Sequence, residues 1–288
     1  MRVLVTGGSG FTGGFVVREL VGRGHDVVAL ARSGEAADVV RAAGAENVWG
    51  DLDDPQSIDV AFADSKADAL VNVASLGFGH TPVILAAAEN GGIRRAVFVS
   101  TTAIFTTLPA PSKAVRVAAE DSIMASDLDW TIIRPTMIYG APGDRNVERL
   151  VRLARRSPAL PLPGGGAHLQ QPVHVADLAA AIVTAVERDV AIGNAYDVAG
   201  PVAITFREIV EQTQEACGRG ARTVALPVGP VRRLVAAQER LLPRPRLKVE
   251  QMDRLEEDKV FDIEAARRDL GHDPRSFREG LADLVAAP

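Results

Sequence analysis

A glycine-rich turn between a strand and a helix constrains the fold of this chain more than any other feature. The turn, Gly7-Gly8-Ser9-Gly10-Phe11-Thr12-Gly13, follows a short apolar run at residues 3–5 and opens an amphipathic stretch at residues 11–22. Glycines at this spacing permit a tight turn, allow backbone N–H groups to approach a pyrophosphate and let the helix pack close to the strand. An ordinary strand-to-helix turn is the alternative. We expect a dinucleotide here, held by Gly7, Ser9, Gly10, Phe11, Thr12 and Gly13 at the helix N-terminus.

Apolar runs of strand length alternate with helical patterns through the first half of the chain. We predict strands at residues 2–6, 26–31, 45–49, 69–73, 96–99 and 130–133. We predict helices at residues 11–22, 81–90, 113–125, 177–187 and 231–242, and a further one after Asp262. Because each strand is apolar throughout, the sheet should be parallel and covered on both faces. The expected fold class is α/β, a Rossmann doubly wound parallel sheet with a smaller C-terminal lobe on the substrate side.

The length of the chain and the change in its residue pattern after Tyr139 suggest two structural units. We assign residues 1–138 and 172–200 to an NAD(P)-binding Rossmann domain, and residues 139–171 and 201–288 to the smaller substrate-side lobe. The Asp177 side chain is expected to cap the helix that starts there. The single cysteine, Cys217, excludes an internal disulfide and a multi-thiolate zinc site, and we expect no metal.

The net charge and the hydropathy of the chain argue against two classes of partner, namely nucleic acids and membranes. The net charge of −5 at pH 7 argues against a nucleic-acid partner, which usually selects a basic surface. No signal segment precedes the first strand and no apolar run reaches spanning length, so we expect a cytoplasmic protein without a membrane partner. The expected partner is a small-molecule substrate. The pattern does not decide between a monomer and a homodimer.

The end of the second strand bears on the choice of dinucleotide. An NAD site usually ends this strand with Asp or Glu, which bonds the ribose 2′-hydroxyl. Here the strand ends with Ala31-Arg32-Ser33, and the first acid, Glu35, comes later. The Arg32 guanidinium is suited to a 2′-phosphate, although it can also stack on adenine or stay solvated. We therefore expect NADP(H) as the cofactor, with NAD(H) as the alternative.

Several motifs resemble those of the short-chain dehydrogenase/reductase superfamily, in particular its extended and atypical branches, which include nucleotide-sugar epimerases and dehydratases. The resemblance covers nearly the whole chain. It is carried by the glycine turn and by these runs: Gly50-Asp51-Leu52, Asn72-Val73-Ala74-Ser75, Val99-Ser100-Thr101-Thr102, Trp130-Thr131-Ile132-Ile133-Arg134-Pro135-Thr136-Met137-Ile138-Tyr139-Gly140, Gln171-Pro172-Val173-His174-Val175-Ala176-Asp177 and Tyr196-Asp197-Val198-Ala199-Gly200.

The resemblance implies roles for individual residues. Asp51, with Leu52 beside it, would bond the adenine amine, and Thr101 would be the catalytic hydroxyl of the fifth strand. The remaining matched positions would line the cofactor, the last three of them next to the nicotinamide: Ala74, Ser75, Pro135, Thr136 and Ile138.

The chain departs from the superfamily at its catalytic Tyr-x-x-x-Lys pair. The only tyrosines are Tyr139 and Tyr196, and the fourth residue after each is glycine. Counting back from Glu120 places Ser112 at the tyrosine position and Arg116 at the lysine position. In the superfamily, the lysine lowers the pKa of the tyrosine phenol so that it can exchange a proton with the substrate. A serine cannot replace that phenol, whereas Arg116 can still bond the nicotinamide ribose.

Other groups are candidates for the missing proton donor. His80, in the loop after the fourth strand, and Tyr139, after the sixth, are expected at the carboxyl edge of the sheet, although a surface histidine and a packed tyrosine are the alternatives. Arg145 is suited to a substrate phosphate; the alternative is that this segment is a helix start capped by Asp144 or Asn146. A basic stretch can steer an anionic substrate or form a solvated helix face: Arg232, Arg233, Arg240, Arg244 and Arg246.

These observations predict an NADP(H)-dependent oxidoreductase or epimerase/dehydratase-like enzyme. Its substrate would be a small carbonyl or hydroxyl compound or a nucleotide sugar. The competing hypothesis is a dinucleotide-binding sensor or assembly protein with reduced catalysis, which the departure at Ser112 and Arg116 favours.

Overall fold

The computed structural model describes residues 1–144, 146–157, 159–220, 222–242, 249, 253 and 256–286. Arg145, Arg244 and Arg246 lie outside the described residues, and so do the roles considered for them.

A seven-stranded parallel sheet forms the centre of the protein, which confirms the predicted fold class. The strands are β1 (Arg2–Thr6), β2 (Asp26–Ala31), β3 (Glu46–Trp49), β4 (Ala69–Asn72), β5 (Arg95–Val99), β6 (Asp129–Pro135) and β11 (Asn194–Val198). Their order in the sheet is β11-β6-β5-β4-β1-β2-β3. The chain moves outward from β1 to β3 and then returns to the other side of β1, so the order reverses between β1 and β4.

Helices cover both faces of this sheet because its strands are apolar on both sides. In β1, Val3 and Val5 belong to one core cluster and Leu4 to the other, as expected from the alternation of side chains along a strand. The helices of the described residues are α1 (Phe11–Gly22), α2 (Gly34–Ala42), α3 (Pro55–Ser65), α4 (Thr81–Asn90), α5 (Pro111–Met124), α6 (Val147–Arg156), α7 (Val175–Glu187), α8 (Phe206–Ala216), α9 (Val228–Leu241), α10 (Glu264–Leu270) and α11 (Phe277–Ala286). None of the described helices is long and apolar enough to cross a membrane.

Short strand pairs and two smaller apolar clusters organise the later part of the chain. The clusters bring together side chains from α6, α8 and α11, among them Val151, Ile209 and Leu281. Three two-stranded pairs connect the intervening segments, namely β7 (Ile138–Tyr139) with β10 (Val173–His174), β8 (Leu160–Pro163) with β13 (Thr223–Leu226), and β9 (Leu169–Gln170) with β12 (Ile204–Thr205).

The predicted start of α7 is wrong by two residues. The helix begins at Val175, and the His174 ring accepts a hydrogen bond at 3.3 Å from the backbone N–H of Ala176. Asp177 does not cap the helix, because its carboxylate binds the guanidinium of Arg275 at 2.9 Å. A capping rule that considers only neighbouring residues cannot predict this pairing with Arg275.

Candidate cofactor and active site

A cavity of about 430 Å³ opens at the carboxyl edge of the central sheet, beside the point where the strand order reverses. Crevices at such reversal points are where open α/β sheets bind their ligands. Loops and strand ends after β1, β4, β5 and β6 supply most of the walls, and α5 adds one side chain. The lining residues are Gly7, Gly10, Phe11, Thr12, Gly13, Val73, Ser75, Leu76, Val99, Ser100, Thr101, Arg116, Pro135, Thr136 and Ile138.

The glycine turn closes as tightly as its spacing predicts. Gly7 has a φ of +71°, and a Cβ atom there would lie 2.7 Å from the backbone nitrogen of Ala74. A Cβ atom on Gly13 would lie 2.0 Å from the carbonyl oxygen of Gly7, so only glycine lets α1 start this close to β1. Backbone packing alone therefore explains why Gly7 and Gly13 have to be glycine.

The N-terminus of α1 completes a cradle for an anion. Gly10 is the N-cap residue and has no side chain that could accept from the first turn. The N–H groups of that turn are therefore available to a ligand, and the helix dipole adds positive potential there. A narrow cradle with free donors and no acidic side chain in the first turn of α1 fits the pyrophosphate of a dinucleotide.

The predicted adenosine contacts lie at the strand ends next to the cavity rather than in its wall. Arg32 directly follows β2, is exposed, and forms no ion pair with any residue that the structure describes. Asp51 lies just after β3, where its carboxylate accepts a hydrogen bond at 3.1 Å from the backbone N–H of Asp53. Since β2 and β3 are parallel neighbours, Arg32 and Asp51 lie at the same edge of the sheet. Ser9, Leu52 and Ala74 are also outside the lining set.

Thr101 is the predicted catalytic residue that does line the cavity. Its hydroxyl oxygen accepts a hydrogen bond at 3.2 Å from the backbone N–H of Ala103, which holds the side chain in place. Because the oxygen acts as the acceptor in that bond, the hydroxyl proton is left to be donated elsewhere. Among the described residues this proton has no acceptor, so the hydroxyl can donate to a ligand oxygen.

Arg116 also reaches the cavity, from helix α5. Its Nη1 donates a hydrogen bond at 2.7 Å to the hydroxyl oxygen of Ser112, one helical turn earlier. Its guanidinium packs over Gly77, where a Cβ atom would approach the Arg116 Nε to 3.1 Å. Ser112 itself is not part of the lining. The cavity therefore receives a permanent positive charge from Arg116, the residue that we predicted at the lysine position of the superfamily.

A buried ion pair under the cavity was not among the predicted site residues. Glu120 is 3% exposed and accepts a hydrogen bond at 3.0 Å from Nε of Arg134. The hydroxyl of Ser100, a lining residue, donates to the same carboxylate. Ser100 and Arg134 lie in the matched motifs and Glu120 anchored the alignment, but nothing in the sequence showed that the three side chains meet. Glu120 links α5 to β6 through Arg134, and to the end of β5 through Ser100 in the cavity wall.

Two predicted proton donors are not brought to the cavity. Tyr139 has no exposed surface, because its ring packs against His174 and Phe277 at centroid distances of 5.4 and 4.9 Å. Burial raises the pKa of its phenol far above the usual value, which makes proton exchange unfavourable. His80 is outside the cavity lining, and its Nε2 contacts the carboxylate of Asp53 at 2.9 Å. Neither side chain is placed to reach a ligand next to Thr101.

Comparisons with known proteins give a family match over more than half of the chain. Residues 7–189 match a family model described as NAD(P)H-binding. The 2-alkyl-3-oxoalkanoate reductase of Stenotrophomonas maltophilia strain K279a is 31% identical, over 100% of this chain and 99% of the relative. The mitochondrial NADH dehydrogenase [ubiquinone] 1 alpha subcomplex subunit 9 of Arabidopsis thaliana is 30% identical over 81% of this chain, and the match spans only 62% of that relative.

A solved structure shows the same fold over the whole chain. The UDP-glucose 4-epimerase of Thermus thermophilus, solved in complex with NAD, superimposes with a TM-score of 0.74 and 23% identity, over 99% of this chain and 98% of the epimerase. At that identity the likeness concerns the fold alone. The match over residues 7–189, more than half of the chain, shows that the chain belongs to the NAD(P)H-binding family, and the shared fold agrees with the predicted resemblance to the epimerase/dehydratase-like short-chain dehydrogenases/reductases.

Proposed function

We propose that this protein is an NADPH-dependent reductase that converts a ketone into a secondary alcohol. The observation that carries the proposal is the Thr101 hydroxyl, which lines the same cavity as the glycine cradle and has a proton free to donate. A carbonyl oxygen is the substrate group that such a donor would hold. The reductase from Stenotrophomonas, named for 3-oxoalkanoates, supports a ketone substrate.

The side chains that line the cavity would have separate roles in binding the cofactor and in reducing the ketone. When bound, NADPH would provide the hydride that reduces the carbonyl carbon, and NADP⁺ would be left. Thr101 would hold the carbonyl oxygen through its hydroxyl and stabilise the negative charge that develops there. Arg116 would hold the nicotinamide ribose, and Pro135, Thr136 and Ile138 would form the wall against the ring. Because Tyr139 and His80 do not reach this point, a water molecule would deliver the proton to the oxygen.

The remaining assignments are those that the sequence and its resemblance to the superfamily predict. Arg32, exposed and without a salt-bridge partner among the described residues, would bind the 2′-phosphate of NADPH. Asp51 and Leu52 would contact the adenine, while Ser9, Ala74 and Ser75 would lie along the cofactor. Residues 139–171 and 201–288 would supply the substrate side of the cleft.

A reductase assay tests the proposal directly. The purified protein would be incubated with NADPH and either a 2-alkyl-3-oxoalkanoate or a simple alkyl ketone, and separately with NADP⁺ or NAD⁺ and UDP-glucose. Products would be separated by chromatography and identified by mass spectrometry. We expect NADPH-dependent alcohol formation from the ketones. Conversion of UDP-glucose to an epimer without net reduction of the cofactor would instead favour an epimerase.

A second candidate is a dinucleotide-binding sensor or assembly protein. Ser112 and Arg116 favour it, since neither can act as the phenol that exchanges protons in the superfamily. The Arabidopsis relative, named as a subunit of NADH dehydrogenase, is consistent with such a role. Tight NADPH binding without turnover of any member of the ketone panel would support this candidate over the reductase.

A further inference from the structure

Helix α9 presents two leucines and two arginines on one exposed face. Leu234 is 71% exposed and Leu241 is 80% exposed. The two are seven residues apart, which places them on the same side of the helix, two turns from each other. Arg233 and Arg240 precede them by one position, have the same spacing and are also exposed. A row of leucines therefore runs beside a row of arginines.

The opposite side of α9 is the one that contacts the rest of the protein. Val235 is only 6% exposed. Arg232 donates a hydrogen bond at 3.0 Å to the carboxylate of Asp253, and Glu239 accepts one at 3.3 Å from the backbone N–H of Val249. These contacts orient the helix so that the rows of leucines and arginines point into solvent.

The charge of this part of the chain is opposite to that of the remainder. Residues 232–248 contain six Arg or Lys residues and one acid, a net charge of +5, although the whole chain has −5. The other residues therefore carry a net charge of −10. Neither Arg233 nor Arg240 forms an ion pair with any described residue. The positive charges of Arg233 and Arg240, which no acid among the described residues neutralises, favour an anionic partner.

We propose that the exposed face of α9 binds the surface of an anionic lipid membrane, with the helix lying in the interfacial plane. Leucine side chains of this exposure gain free energy on entering the boundary between headgroups and acyl chains, and arginines beside them can pair with lipid phosphates. A nucleic acid would satisfy the arginines but leave the leucines in water. The face thus has both components that an anionic membrane surface requires.

Binding of α9 to a membrane surface would overturn one expectation from the sequence, namely that the protein has no membrane partner. The sequence showed the basic residues, but it did not show that Leu234 and Leu241 are exposed beside them. The inference is independent of the proposed reductase activity, since it concerns a helix outside the cavity lining.

Vesicle co-sedimentation tests the proposal. The full-length protein would be mixed with phosphatidylcholine vesicles, either pure or containing about 30% phosphatidylglycerol, at low and at high salt. We expect sedimentation with the anionic vesicles only, and release at high salt. The double variant Leu234→Gln with Leu241→Gln should lower the partition coefficient at least about tenfold, since it removes most of the inserted apolar surface. Arg233→Gln with Arg240→Gln should lower it roughly thirtyfold and flatten the salt dependence.

Matched controls separate this face from general surface properties. Val60→Gln with Leu153→Gln removes two other exposed apolar side chains, and Arg94→Gln with Arg278→Gln removes two other exposed arginines. Both controls should bind vesicles as the parent does, and circular dichroism would verify that every variant is folded.

Three outcomes would overturn the proposal. The parent protein could fail to sediment with anionic vesicles. The leucine variant could retain full binding, which would indicate a purely electrostatic polyanion site. Light scattering could show that the parent is a dimer and that the leucine variant is a monomer without vesicles, in which case the face is an interface between two copies of the chain.

Discussion

The guanidinium of Arg116 donates a hydrogen bond at 2.7 Å to the hydroxyl oxygen of Ser112, and only the arginine of this pair reaches the cavity. Helix geometry explains the contact, because residues four apart lie on the same side of a helix. Counting back from Glu120 predicts that this pair occupies the positions at which the superfamily has its catalytic tyrosine and lysine. Their chemistry differs, since a serine hydroxyl beside a permanent cation cannot serve as a proton donor near neutral pH.

The first prediction concerns this pair. Ser112→Ala should leave the turnover number within a few-fold of the parent, far from the ~10²–10⁴ typical of losing a general acid or base. Arg116→Ala should raise the Kd for NADPH roughly tenfold, because it removes a charged hydrogen-bond donor. Steady-state kinetics and calorimetry measure the two effects. A thousandfold rate loss in Ser112→Ala with unchanged cofactor affinity would show that the serine itself exchanges the proton.

Thr101 should matter for rate rather than for cofactor binding. Removing its hydroxyl in Thr101→Val should lower kcat on the ketone about a hundredfold, the effect of deleting one donor to a developing oxyanion. The Kd for NADPH should stay within about twofold of the parent value. Thr101→Ser should restore most of the rate because it returns the hydroxyl. Equal losses in the valine and serine variants would indicate that the threonine acts through packing.

Arg32 should determine the preference between the two dinucleotides. The parent protein should bind NADPH at least roughly tenfold more tightly than NADH, since the guanidinium can pair with the 2′-phosphate. Arg32→Asp should reverse the order of the two Kd values. Arg41→Gln removes a nearby exposed arginine from α2 and should leave the ratio unchanged. Equal affinities of the parent for both cofactors would contradict the assignment.

Two buried histidines should make stability fall in mild acid. Burial lowers the pKa values of His174 and His272 below the ordinary histidine value. The unfolded chain therefore takes up protons first as the pH drops through about 6.5, and this favours unfolding. Urea unfolding at about pH 7.5 and pH 5.5 should show a smaller free energy of unfolding at the lower pH.

The variant His272→Gln isolates one of these two contributions. A glutamine amide can still donate to the carbonyl oxygen of Ala199, which Nε2 of His272 contacts at 2.8 Å. The variant should lose part of the pH dependence while keeping most of the stability at about pH 7.5. A pH dependence identical to that of the parent would mean that His272 is not protonated on unfolding in this range.

Local patterns were sufficient to predict six of the seven strands of the central sheet and the tight glycine turn. Helices α1 and α4 have the bounds that apolar periodicity predicts, and the first six strands of the central sheet lie within two residues of their predicted bounds. The tight contact between Gly13 and Gly7 is a relation between residues close in sequence, so the spacing alone predicts it.

Long-range contacts explain where the sequence interpretation was incomplete. Tyr139 was a candidate for the cavity because it follows β6, but β7 pairs with β10 and the ring is covered by Phe277 of α11. Glu120 served as an anchor for alignment, yet its contact with Arg134 depends on the packing of α5 against β6. Contacts of this kind join residues on different elements, so local periodicity in the sequence does not predict them.

Every role proposed for the cavity depends on a dinucleotide that binds the glycine cradle at the N-terminus of α1. The most direct test is NADPH titration calorimetry on the parent, on Gly10→Val at the N-cap of α1 and on Gly22→Ala at the other end of the same helix, where a Cβ atom meets nothing within 4 Å. We predict saturable binding by the parent and by Gly22→Ala, and no measurable binding by Gly10→Val with an unchanged circular-dichroism spectrum. Binding by a folded Gly10→Val at the parent's affinity would contradict the claim.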